Sequence, residues 1–144
     1  MKLSKEAFIT KIHLVISVVI VIPVSFIYGF NPSSQFDISL NTVDENNFFK
    51  AIMDLYIGFS LLWVFGIFKT KFLKSALLSN MIFMLGLGSG RLLSIFIDGT
   101  PTFGYTFGTA AELFLGFYGF WVINYKKVFL QKNNLGKNRQ HRII

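Results

Sequence analysis

The chain contains no cysteine. That excludes disulfides, thiolate metal sites, iron–sulfur clusters and haem attached through a cysteine pair. Histidine is almost as scarce, with His13 near the start and His141 near the end. Two imidazoles so placed cannot clamp a haem in mid-membrane, and no metal site is expected. Charge is sparse too: 15% of the 144 residues are charged, against 53% hydrophobic and 17% aromatic, with a mean hydropathy of +0.56. A soluble domain of ordinary composition is far more polar. What remains is the composition of a small integral membrane protein.

Four apolar runs follow one another at 12–30, 48–68, 72–97 and 103–123. Each is close to the roughly 20 residues that a helix needs to cross the hydrocarbon layer. The first is rich in Val and Ile, which favour strands in water. In lipid a lone strand leaves its backbone unpaired, so helix is the expectation there as well. Pro23 lies within this run and is expected to bend it. The fold class is therefore all-α, a four-transmembrane-helix bundle forming one domain over 1–130, followed by a basic flexible tail over 131–144.

Lys2, Lys5 and Lys11 ahead of the first run imitate a signal peptide. The run is too long for that, and Ile27-Tyr28-Gly29-Phe30-Asn31-Pro32 offers no small-x-small cleavage site, so a retained span is expected. Lys69, Lys71 and Lys74 separate the second and third runs, and Lys126, Lys127, Lys132, Lys137, Arg139 and Arg142 follow the fourth. The other two connections carry Asp37, Asp44, Glu45 and Asp98. By the positive-inside rule both termini of this multi-pass protein are cytoplasmic. Trp63, Trp121 and Tyr125 then fall near inner helix ends, and Tyr28 and Tyr105 near outer ones, as an aromatic belt would place them.

The net charge of +7 raises nucleic acid as a partner. These cations are better read as topology determinants that also meet anionic headgroups, and no nucleic-acid partner is expected. The long loop from about Asn31 to Asn47 alternates Phe36, Ile38 and Leu40 with Asp37, Ser39 and Asn41, which suggests a short extended piece with one covered face. Thr42 and Glu45 have capping-box spacing for the second helix. The same loop lacks the turn glycine and bidentate Glu of a calcium loop.

Three ionisable residues, Asp54, Arg91 and Glu112, sit inside the apolar runs. A charge at that depth costs about 2.5–3.5 kcal/mol on insertion scales and so faces a partner or a wet cavity. Counting 1.5 Å per residue, Asp54 lies about 9 Å and Glu112 about 14 Å below the outer ends of their spans, and Arg91 at a similar depth. One shared polar site in the outer half of the bundle is expected, with a cavity open towards the outer face. Lys50, one turn before Asp54, is its simplest rival partner. Leu87, Arg91, Ser94 and Asp98 share a helical face.

Gly104, Gly108, Glu112 and Gly116 recur every fourth residue on the fourth helix, a stripe that permits close approach within or between subunits, homo-oligomers included. Gly86, Gly88 and Gly90 thin the third helix beside Arg91, with Gly86 and Gly90 expected to serve helix packing. An Arg91–Glu112 contact is then within reach, as either a packing ion pair or a binding site. Gly86–Gly90 is no phosphate loop, since no Lys-Ser or Lys-Thr follows. Asp98-Gly99-Thr100-Pro101 supplies a turn, with Gly99 and Pro101 ending the third helix.

The stretch Gly90-Arg91-Leu92-Leu93-Ser94-Ile95-Phe96-Ile97-Asp98-Gly99-Thr100-Pro101, with Glu112-Leu113-Phe114-Leu115-Gly116, resembles the bacterial integral membrane proteins grouped as domain of unknown function 4345. Their pattern is an Arg-x-x-Ser helix end, a Gly-x-Pro turn and a Glu in the next helix. Phe49-Lys50-Ala51-Ile52-Met53-Asp54-Leu55-Tyr56 and Trp63 fit the family's second helix, and the likeness covers about residues 44 to 124. That family favours Arg where Lys50 stands and Gly where Asp54 stands. The departures weigh against a general role for Asp54 and leave Arg91, Asp98 and Glu112 on matching positions. The resemblance implies a four-helix, multi-pass bundle of the bacterial inner membrane. More distantly the chain is similar to DoxX-type membrane proteins, some of which are linked with quinone or sulfur redox systems.

The leading functional expectation is a non-enzymatic membrane module that binds a small amphipathic ligand or a partner protein through an outward-facing pocket. The alternatives are an accessory subunit of a quinone-linked redox system, with quinone as its cofactor, and a small proton-coupled transporter. Quinone binding would need only an apolar slot with one or two polar groups for its carbonyls.

Overall fold

The structure, a computed structural model, describes the backbone over 5–140 and the side chains over 8–125. Lys2, His141 and Arg142, and the side chains of Lys5 and of the expected basic tail, lie outside the described residues. Four helices form the fold: α1 (Lys5–Phe30), α2 (Val43–Phe68), α3 (Thr70–Asp98) and α4 (Phe103–Gln140), with no strand among the described residues. The stretches Phe8–Phe30, Val43–Phe68, Thr70–Asp98 and Phe103–Tyr125 are each long and apolar enough to cross a membrane. The chain is a four-helix, multi-pass membrane protein.

Large apolar side chains point outward along every helix, among them Val19, Phe30, Phe68, Phe96, Phe107 and Phe114. In water such a surface would aggregate, whereas against lipid tails it costs nothing. The interior is built around Trp63, which is fully buried and packs on Phe83 with ring centroids 5.3 Å apart. Its indole nitrogen donates to Ser79 Oγ at 3.2 Å. The belt position expected for Trp63 is thus corrected. A residue near a helix end can still point inward, and this one finds its hydrogen bond inside the bundle.

α1 runs through Pro23 without interruption. The missing N–H removes the bond to the carbonyl one turn earlier. Pro23 itself faces outward, and nearby Ser25 donates to the Ile22 carbonyl at 2.6 Å. A short 3-10 turn, Pro32–Ser34, follows, and the loop then reaches α2 in irregular backbone rather than a strand. Its alternation still has one covered face: Phe36 is buried, Ile38 and Leu40 are half-buried, and Asp37, Ser39 and Asn41 are exposed.

The capping box forms at the start of α2. Glu45 N–H donates to Thr42 Oγ1 at 3.1 Å, and Glu45 Oε2 accepts from the N–H groups of Thr42 at 2.9 Å and Asn41 at 2.6 Å. This cap starts the helix at Val43, five residues ahead of the apolar run. Between α2 and α3 the chain reverses within a single extended residue, Lys69 (φ −119°, ψ 113°). Gly66 allows that reversal, because a β-carbon there would collide with Ala76. α3 ends at Asp98 because Gly99 takes φ 100°, a conformation that side chains with a β-carbon rarely adopt. Pro101 follows, and α4 begins two residues later.

Each helix packs along its neighbour in sequence order, and α1 and α4 meet only lightly. That leaves one flank of the bundle looser than the rest. Towards the end that carries the termini, His13, Ser60 and Asn80 are buried with side-chain nitrogen or oxygen atoms that have no hydrogen-bond partner.

Candidate ligand site beside an intramembrane ion pair

Arg91 projects from α3 into the bundle interior near the end away from the termini. Its Nη1 lies 2.9 Å from Glu112 Oε1 on α4, and Nη2 donates to the Tyr28 hydroxyl on α1 at 3.0 Å. The guanidinium carbon lies 5.3 Å from the centroid of the Tyr105 ring. Three helices thus converge on one cation. The two charged side chains are 19% and 14% exposed, so solvent screens their attraction only weakly.

Small residues make this convergence possible. A β-carbon on Gly108 would sit 2.7 Å from Arg91 Nη1, so the guanidinium crosses α4 where that side chain is missing. On Gly116 a β-carbon would meet Leu85 at 2.7 Å, and on Gly88 it would meet Leu113 at 2.8 Å. Gly104 lies under the loop, 3.4 Å from the Gln35 carbonyl oxygen by the same measure. Gly86 and Gly90 differ from expectation: both are exposed, with open space beside them. The close α3–α4 contact falls to Gly88, which lies on the other side of the helix from its two glycine neighbours.

A cavity of about 340 Å³ adjoins the pair. Val21, Val24, Met84, Leu87 and Leu115 give it an apolar body, and Tyr28, Tyr56, Arg91 and Glu112 give it a polar end. Its volume lies within the usual range for small-molecule sites, roughly 300–1,000 Å³. Gln35 and Phe36 of the loop also line it. Phe36 stacks on Tyr28 (centroids 5.0 Å apart) and packs on Tyr105 (4.4 Å), which covers the end of the bundle. Among the other lining residues, Ile20 on α1 and Phe103 and Phe107 on α4 are exposed. Exposed lining residues thus lie both on the α1–α4 flank and, with Gln35, at the end of the bundle away from the termini.

The other polar residues stand apart. Asp54 is exposed on α2, does not line the cavity and forms no ion pair with Lys50. Ser94 Oγ donates to Asp98 Oδ2 at 2.8 Å, and both side chains are exposed in the last turns of α3. Tyr28, Tyr56, Gln35 and Phe36 line the site, although the sequence pattern does not mark them as site residues. Tyr28 and Tyr105 lie near outer helix ends as expected of an aromatic belt, yet Tyr28 is buried and Tyr105 half-buried against Arg91. The available signal was the hydroxyl of Tyr28 in an otherwise apolar helix, since a buried phenol needs a partner. Among the described residues no group of acidic or imidazole side chains is placed to hold a metal ion.

This geometry defines a four-helix membrane protein with an Arg–Glu pair inside its spans, beside a largely apolar cavity. The sequence model of the family described as domain of unknown function 4345 matches residues 9–123, and the chain belongs to that family. The match extends through all four helices and includes Arg91, Asp98 and Glu112. No curated protein and no solved structure matches the chain.

Proposed function

We infer that this protein binds a small amphipathic molecule, which enters from the bilayer between α1 and α4 and places its polar end beside Arg91 and Glu112. The observation that carries this reading is the union of an apolar cavity, a polar end and exposed lining residues on α1 and α4. Intramembrane ionisable groups usually mark ligand or ion paths, and pockets with an apolar body and few polar groups suit small molecules. The cation distribution supports cytoplasmic termini and hence a site in the outer half of the inner membrane.

A pure packing role for the ion pair predicts no ligand. The test is to compare the small molecules that co-purify with the wild-type chain and with Ala111→Trp, by mass spectrometry of organic extracts. Ala111 lines the cavity and takes no part in the ion pair, so its enlargement fills the space while both charged side chains are kept. A molecule retained by the wild type and lost from the folded variant supports binding. Identical extracts from the two proteins would refute it.

A further inference from the structure

The polar end of the cavity contains one acceptor that the protein leaves unused. Glu112 Oε1 is held by Arg91, and Glu112 Oε2 is buried with no protein donor within reach. A carboxylate oxygen in that position is costly, since it has lost water and gained nothing in return. The terminal carboxylate torsion of Glu is broad, so a small rotation can turn this oxygen towards the cavity while Oε1 stays within reach of the guanidinium. The residue already lines that space.

Charge narrows the class of ligand further. Arg91 and Glu112 neutralise one another at 2.9 Å. An anionic head would meet the carboxylate, and a cationic head would compete with Arg91 for it. Neither charge is complementary to a site that is already paired. Building on the ligand-binding reading above, we propose that the occupant is an uncharged amphiphile whose head carries a hydroxyl, which donates its hydrogen bond to Glu112. The apolar body of the cavity takes the adjoining hydrocarbon, and the α1–α4 flank lets the rest of the chain remain in lipid.

The test uses the full chain in lipid nanodiscs, with empty discs as the partition background. The probes are 1-dodecanol, dodecyl methyl ether, dodecanoate and dodecylammonium. The ether keeps the oxygen and loses only the donor. Dodecanol is expected to bind saturably and about tenfold or more tighter than the ether, the ratio set by one hydrogen bond to a charged acceptor. Both charged probes are expected to bind more weakly than dodecanol. In Glu112→Gln the amide oxygen can stay on Arg91 while its N–H faces the cavity, so the ether should gain on the alcohol and the preference should shrink or reverse.

Ala111→Trp separates the two layers of the argument. Alcohol and ether binding equally to the wild type, and both lost in that variant, would overturn the hydroxyl assignment and leave the cavity as a binding site. Dodecanoate or dodecylammonium binding tightest would likewise overturn it in favour of a charged head. Binding of every probe unchanged by Ala111→Trp, or no saturable binding at all, would refute the cavity reading as well. Should Glu112→Gln fail to fold, the wild-type probe series decides the question alone.

Discussion

Arg91 and Tyr28 are 63 residues apart in the chain, yet a 3.0 Å hydrogen bond joins them across the bundle. Through it the cation paired with Glu112 on α4 is also tied to α1, the helix that packs only lightly on α4. The loosest flank of the bundle is therefore bridged at the polar end of the cavity. This arrangement ties the stability of the fold to the shape of the site.

Removing either member of the ion pair leaves the other buried and unpaired. Arg91→Ala and Glu112→Ala are each expected to destabilise by about 3–5 kcal/mol, the cost seen when one partner of a buried pair is lost. The double variant should cost less than the sum of the two, because neither charge is then stranded. Unfolding of the four proteins in the same mixed micelles gives the coupling, and strictly additive losses would count against a paired role.

The glycines give a sharper contrast, because they differ only in what faces them. Gly108→Ala puts a methyl group against Arg91 Nη1 and should cost about 1–3 kcal/mol through forced displacement. Gly86→Ala and Gly90→Ala enter open space on a helix, where alanine is better than glycine by roughly 1 kcal/mol in water. Thermal melts should order Gly108→Ala well below the wild type and the other two at or above it. The reverse order would mean that α3 presents a different face to α4.

Phe36 gives a test of the cover over the cavity. It is buried by Tyr28 and Tyr105, so Phe36→Ala should uncover the polar end to water. With no natural cysteine, a single Ala111→Cys substitution reports this cleanly. Labelling by a membrane-impermeant thiol reagent should be slow with Phe36 present and several-fold faster in the combination with Phe36→Ala. Equal rates would show that the loop does not close the site.

Much of this was legible in the sequence because the bilayer imposes simple rules. Four runs of spanning length required four helices, and Thr42 with Glu45 marked the start of α2. Arg91 and Glu112 were conspicuous as charges among apolar residues. Rotation about each helix axis was not legible, since it depends on which neighbours pack where. Asp54 shares a depth with the pair but faces outward, and in Gly86, Gly88 and Gly90 the repeat at every second residue left open which side met α4. Tyr28 and Trp63 were placed correctly along their helices and wrongly around them, because a hydropathy pattern records depth and says little about direction. The cavity itself was hidden for a similar reason: it depends on light packing between α1 and α4, the first and last helices.

Asn80 provides a test of the bundle interior at the opposite end. Its side chain is fully buried on α3, and neither the amide oxygen nor the nitrogen meets a protein partner. Burying such a group without a hydrogen bond costs about 1–3 kcal/mol by mutational measures. Leucine has nearly the same shape and no polar atoms to satisfy, so Asn80→Leu should leave stability unchanged or raise it, as replacement of unsatisfied polar groups does elsewhere. Trp63, one turn of packing away through its bond to Ser79, should keep its buried emission in this variant. A loss of stability of more than about 1 kcal/mol would instead show that the amide holds a hydrogen bond in the membrane, of the strength typical for a buried neutral pair. Solvent-isotope or spectroscopic detection of an internal water in the wild type, absent from Asn80→Leu, would then identify its partner.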